Sequence, residues 1–104
     1  MVYKVAVTDF AWNQLNNITD YIVYDLMNPD AAESVLDDFE KAVDKLEKTA
    51  ASFALCSEPE LAQHRYRRYH LESHRYILLY RIVGQDVFID RVYHELQDYQ
   101  NLEA

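Results

Sequence analysis

The chain has 104 residues, half of them apolar, and a formal net charge of −8. That length suits one compact domain spanning 1–104, and the acidity excludes binding to nucleic acid through net positive charge. One glycine and two prolines leave little disorder to expect away from the ends, and no apolar run approaches the ~20 residues of a membrane span. The opening MVYKVAVTDF has no basic stretch before a long apolar core, so no secretory leader is read there. Cys56 is the single cysteine. It cannot form an internal disulfide, fits a cytoplasmic location, and reads as a loop or core filler.

In chain order, VYKVAV (Val2–Val7) alternates and is β-branched, which predicts a strand. Thr8 or Asp9 can cap a helix directly after it. Ala11, Leu15, Ile18, Ile22 and Leu26 then recur at three- and four-residue spacing and predict a helix over roughly 10–27. Asn28 before Pro29 breaks it, because a residue preceding proline disfavours the helical region. Pro29 suits the first turn of a second helix with Asn28 as its cap. That helix, roughly 30–50, carries Ala32, Val35, Leu36, Phe39, Val43 and Leu46 on one side. Asp37, Asp38, Glu40, Lys41, Asp44, Lys45 and Lys48 fill the other and read as a solvated face. A short turn between two amphipathic helices makes an antiparallel helical hairpin.

Residues 51–64 read as a loop. Three strand-like runs follow, Arg65–Leu71, His74–Val83 and Asp86–His94. Gly84 at the first central position of Gly84–Gln85 suits a type II′ hairpin turn. The order strand, helix, helix, three antiparallel strands predicts an α+β fold with the helices on one sheet face.

That hairpin sets a register. Val83 faces Asp86, Tyr80 faces Ile89, Leu78 faces Arg91 and Arg75 faces His94. Strict alternation then puts Tyr76, Leu78, Tyr80, Ile82, Val87 and Ile89 under the helices, with Arg91 and Tyr93 at the end of that face. Arg75, Ile77, Leu79, Arg81, Phe88, Asp90, Val92 and His94 take the opposite, open face. A tight turn at Glu72–Ser73 adds Arg68 and His70 to it. The charge distribution points the same way. Residues 1–64 hold twelve acids against four lysines and no arginine. Residues 65–91 hold Arg65, Arg67, Arg68, Arg75, Arg81 and Arg91 against Glu72, Asp86 and Asp90. Two readings follow: the arginines pair with acids of the same domain, or they form a functional basic surface. Arginine forks grip phosphates, a histidine moves protons near neutral pH, and Tyr66 can stack on a base. The same face also reads as a protein-binding groove in which Ile77, Leu79, Phe88 and Val92 await a partner. His70 and His74 lack a third ligand at suitable spacing, so no metal site is expected. No glycine-rich phosphate loop occurs, so no nucleotide cofactor is expected.

The element order, together with HRYILLYRIVGQDVFIDRVYHELQDY at the end, resembles the RelE/ParE toxins of type II toxin–antitoxin systems. VYKVAVTDFAWNQLNNITDYI is similar to that family's opening strand and first helix, and NPDAAESVLDDFEKAVDKL to its second helix. The resemblance implies a growth-inhibiting toxin wrapped and neutralised by a cognate antitoxin, with which it can form an oligomer. It makes Ile77, Leu79, Phe88 and Val92 the candidate antitoxin-binding residues. RelE-like members cleave mRNA on the ribosome, whereas ParE-like members poison DNA gyrase and need not be nucleases. Arg91 and His94 match a ParE-like ending, an arginine followed by an apolar pair and a histidine. Asp98 and Tyr99 match its last positions. Glu95, Leu96 and Gln97 stand where a glycine and two arginines are common.

For metal-independent mRNA cleavage, a base activates the ribose 2′-OH and a cation stabilises the phosphorane-like transition state. The residues nominated for that chemistry are Arg68, Arg75, Arg81 and His94, with Tyr93 or Tyr99 as auxiliary. The alternatives are a gyrase inhibitor or a decayed toxin that only binds its antitoxin.

Overall fold

The computed structural model, which describes residues 2–96, opens with strand β1 (Lys4–Val7) and helix α1 (Asp9–Asp20). Thr8 joins them. Its hydroxyl accepts the Ala11 N–H at 3.3 Å, as an N-cap does, and donates to the Ile89 carbonyl at 3.2 Å. The start of the helix is thereby tied to the sheet.

α1 does not run to residue 27 as an α-helix. Its last turn widens into a π-helix over Tyr21–Asp25, where the Leu26 N–H bonds to the Tyr21 carbonyl at 3.1 Å. The extra residue per turn rotates the chain, so Ile22 stays buried while Leu26 is exposed. Asn28 caps α2 (Pro29–Thr49) through its Oδ1 on the Ala31 N–H at 3.1 Å, with Pro29 in the first turn. A 3₁₀ turn, Ala50–Ser52, follows. Within residues 51–64 the sequence reading missed a one-turn helix, α3 (Pro59–Gln63). The chain leaves α3 through Arg65 at φ 59°, with the Tyr66 N–H on the Leu61 carbonyl at 3.0 Å. That left-handed exit favours glycine. Arg65→Gly is therefore expected to raise stability by about 0.5–1 kcal/mol, read as a higher urea midpoint. The same φ stops the first of the three late runs from starting at residue 65; β2 is Arg67–His70.

β3 (Tyr76–Val83) and β4 (Asp86–His94) form the hairpin, with Gly84 at φ 63° in its turn. The sheet order is β1-β4-β3-β2, with β1 parallel to β4 and the other pairs antiparallel. α1 and α2 cover one face. Ala11, Leu15, Val35, Phe39 and Leu46 pack there on Leu78, Tyr80, Val87, Ile89 and Val92.

The hairpin register agrees with alternation only near the turn. Val83 pairs with Asp86 and Tyr80 with Ile89, as expected, but a bulge then inserts Asp90. Beyond it Leu79 pairs with Arg91, Leu78 with Val92, Ile77 with Tyr93 and Tyr76 with His94. One extra residue reverses the side on which every later side chain points. The placements of Arg91, Tyr93, Val92 and His94 are therefore all corrected. Arg91 and Tyr93 turn to the outer face, while Val92 and His94 turn toward the helices.

Two further expectations are corrected. The outer face is not bare, because Cys56 and Leu61 bury Ile77, Leu79 and Tyr93, with Tyr66 packed beside them. Asp38 is not solvated but 3% exposed. It sits on the flank of α2, where its Oδ2 accepts the Ser73 N–H and meets His74 Nδ1, each at 3.0 Å. This pins the connection between β2 and β3 to the helix.

Candidate functional site

The outer face of the sheet gathers the polar side chains, and the bulge decides which. Asp90, the inserted residue, is 6% exposed. Its Oδ2 accepts from Arg81 Nε at 2.8 Å and from the Tyr66 hydroxyl at 2.9 Å. The Arg81 guanidinium lies 4.7 Å from the centre of the Phe88 ring, a stack that adds cation–π attraction to the ion pair. Arg91, the next residue, donates to the Asp90 carbonyl at 2.9 Å and stacks 4.2 Å from the Phe10 ring at the start of α1.

A second group lies on β2. Arg68 projects to the outer face, as expected, but opposite Leu79, because residues 72–75 and not a two-residue Glu72–Ser73 turn join β2 to β3. It donates to Glu58 Oε2 at 2.8 Å. Burial pulls the Arg68 pKa down, but hydrogen bonding to Glu58 and Tyr93 more than offsets it, leaving the guanidinium firmly charged. Cys56 lies within this group. Burial raises its thiol pKa against a lowering by Arg68, so it is a core thiol and not an activated nucleophile.

The remaining nominees are dispersed. Arg75 precedes β3 and is paired with Glu95 at 3.0 Å. It does not face His94, which pairs with Tyr76 instead. His94 packs edge-on against Tyr76, ring centres 5.3 Å apart, and accepts the Leu96 N–H at Nδ1. Tyr93 is buried beneath α3. Tyr99 and Asp98 lie outside the described residues. Of the four apolar candidates, Ile77 and Leu79 are buried under the chain's own segment and Val92 lies in the helix-covered core. Phe88 alone remains half-buried on the outer face. Among the described residues no group of three or more His, Cys, Asp or Glu side chains is gathered as a metal site requires.

Three of the six arginines thus pair with acids of the same domain, Arg81 with Asp90, Arg68 with Glu58 and Arg75 with Glu95, while Arg67 and Arg91 donate to backbone carbonyls. Glu58 and the Tyr66–Asp90 contact were not foreseen. Glu58 precedes Pro59 in a stretch read as loop, and no local pattern links it to Arg68. Asp90 left a signal. In VFIDRVYH the apolar residues Ile89 and Val92 are three apart, not two, and such a break in strand alternation marks a bulge.

The chain matches the family model "ParE toxin of type II toxin-antitoxin system, parDE" over residues 5–99. The chain belongs to the ParE toxin family. A solved chain of a chromosomal ParDE system from P. aeruginosa has the same fold. Its TM-score is 0.72, with 23% identity over 89% of this chain and 96% of that one. Among curated proteins none matches the sequence. Membership of a toxin–antitoxin system implies a cognate antitoxin as partner. Among the described residues of this ParE-family toxin, no helix is long and apolar enough to cross a membrane.

The phenols packed on the outer face, Tyr66 and Tyr93, stay protonated at neutral pH. Burial raises the phenol pKa of Tyr93. It raises that of Tyr66 too, with Asp90 adding to the effect. Burial likewise raises Tyr69, Tyr76 and Tyr80 above their ordinary value of 10.0. Each folded-state value lies above that of the unfolded chain, so unfolding releases protons once the pH passes the unfolded value. This contribution is fully present below about pH 10 and is lost as pH rises through the folded-state values. The urea midpoint is expected to fall as the pH rises above about 10, with phenolate absorbance from the buried rings rising in the same transition as helicity is lost. Complete ionisation of the phenols while helicity is intact would contradict it.

Proposed function

We propose that this toxin acts by binding DNA gyrase, without cleaving RNA, and that its antitoxin holds it inactive. The observation that carries this reading is the dispersal of the nuclease candidates. Arg68 and Arg81 are each engaged by an acid of the same chain, and His94 turns to the helix side of the sheet. General acid–base chemistry needs a proton carrier within hydrogen-bond reach of the reacting group. Transition-state stabilisation needs cations aimed at the developing charge. Cations held by carboxylates of their own chain contribute less to either. The net charge of −8 adds support, since such a chain is repelled by ribosomal RNA and attracted to the cationic surfaces of a DNA-handling enzyme.

The deciding experiment compares two reactions with the purified chain. Supercoiling of relaxed plasmid by gyrase is expected to stop, and cognate antitoxin to restore it. Message ends in a translating extract are expected to stay unchanged. Codon-positioned cuts that disappear in Arg68→Ala or Arg81→Ala would instead establish the mRNA interferase reading. Binding of antitoxin by a chain that neither stops supercoiling nor cuts messages would mark a decayed toxin.

A further inference from the structure

The connection between α1 and α2 forms an apolar tip. Tyr21, Tyr24, Leu26 and Met27 are all exposed there, Tyr24 by 71% and Met27 by 79%. The core takes only Ile22 from this stretch, with Val23 packed beside it. The four exposed side chains therefore do nothing for the packing of the sheet. Large apolar side chains gathered in one exposed segment mark a contact site. Tyrosine and methionine are also among the residues enriched where protein surfaces meet.

Two local features of the tip run against stability. Met27 stands at φ 53°, a left-handed conformation that costs a residue with a side chain and not glycine. The helix that runs from Asp9 through the π turn ends with Asp20 and Asp25, and neither part has a basic residue in its last turn. Carboxylates at that end oppose the helix dipole. Where a chain breaks its local rules without gain to the fold, function is the expected reason. The surrounding charge then selects the partner. From Val5 to Glu40 the chain has eight acids and no lysine, arginine or histidine. Asp20, Asp25, Asp30 and Glu33, all exposed, flank the apolar side chains. A second copy would bring carboxylates against carboxylates, and an anionic lipid surface or a nucleic acid would be repelled likewise. An apolar depression rimmed by cations fits, and an enzyme that grips DNA must present cations.

We infer that this tip is the part of the toxin that seats on gyrase, with Tyr21, Tyr24, Leu26 and Met27 entering an apolar depression rimmed by lysine and arginine. Buried apolar anchors supply the affinity, and the surrounding acids speed the encounter. The inference rests on the gyrase reading for the identity of the partner and names the surface through which that reading works.

Tyr24→Ser, Leu26→Ser and Met27→Gly, combined in the full chain, test the anchors. The urea midpoint is expected to equal or exceed that of the parent, because the side chains removed are exposed and glycine relieves the left-handed position. Affinity for purified gyrase is expected to fall at least about tenfold. The concentration that halts supercoiling is expected to rise in step, and affinity for the cognate antitoxin to stay unchanged. Asp20→Lys with Asp25→Lys tests the charge. It is expected to slow association with gyrase about tenfold at low salt and to flatten the salt dependence of that rate. Helicity is expected to be kept, since lysine suits this end of a helix.

Parent-like binding to gyrase in either variant would overturn the inference and leave the proposed function standing. Equal losses toward gyrase and antitoxin would overturn it too, since the tip would then not be particular to the target. So would a parent dimer that the triple variant dissolves, because a second copy would then cover the tip. A parent chain that does not bind gyrase at all would sink the proposed function and the inference together.

Discussion

Tyr80→Ala is expected to lower the unfolding free energy by about 3–5 kcal/mol, a large share of the roughly 5–15 kcal/mol that holds a domain of this kind together. Tyr80 is 0% exposed, in the middle of β3, where it pairs with Ile89 on one side and Arg67 on the other. Its ring fills the space between sheet and helices, and its hydroxyl donates to the Ala50 carbonyl at 2.7 Å, in the 3₁₀ turn that ends α2. The side chain therefore does two things. It packs the core, and it fastens the end of the longest helix to the sheet. Tyr80→Phe separates the two contributions. It keeps the ring and leaves the Ala50 carbonyl without this donor, at an expected loss of about 1–2 kcal/mol. Urea unfolding followed by far-ultraviolet dichroism measures both. Equal losses for the two variants would mean that the hydroxyl, and not the ring, carries the effect.

Asp90→Ala is expected to lose about 2–3 kcal/mol. The carboxylate is almost fully buried and serves two donors with one oxygen, Arg81 Nε and the Tyr66 hydroxyl. Removing it leaves the phenol without its acceptor and the guanidinium without its counter-ion. Arg81 is 36% exposed on its side chain, so water recovers part of the loss, and the figure stays below that for a fully buried pair. Asp90→Asn keeps an acceptor oxygen and is expected to lose only about 1 kcal/mol. Because the pair is largely shielded, the difference between aspartate and alanine should change little at high salt. A loss within about 0.5 kcal/mol of zero would show that the bulge is held by its backbone alone. The variant also bears on function. Freed of Asp90, Arg81 becomes an available cation, and any message cleavage gained by Asp90→Ala would argue that the family's nuclease chemistry lies latent on this face.

The bulge also marks how far the chain can be read without its fold. The element order, the caps at Thr8 and Asn28, the hairpin at Gly84 and the ParE resemblance all rest on local causes. These are spacing of apolar residues, short polar side chains before a helix, and a backbone position that needs φ > 0. Arg68 and His70 take the outer face as expected although no tight turn forms at Glu72–Ser73, because the longer connection moves the register by two residues and an even shift preserves the face. Val92 and His94 do not, because alternation was carried past Asp90. A strand's side-chain period is two, so one unpaired residue inverts everything after it.

Asp38 was misread for a related reason. Helical spacing places it on the flank of α2, and only the approach of Ser73 and His74 from the far end of the chain makes that flank interior. The segment carrying Cys56, Leu61 and Tyr66 was read as a loop with no assigned place, and packing alone laid it over Ile77, Leu79 and Tyr93.

The sequence by itself therefore determined the two long helices, the strands, their order and the family resemblance, because each follows from contacts within a few residues or from a pattern spread over the whole chain. The tertiary structure alone decided which arginines meet which acids, which face each late strand residue takes, and what covers the outer face. Those outcomes depend on pairs such as Arg68 with Glu58, and Arg81 with Asp90 under Tyr66. Only the closed sheet brings them together.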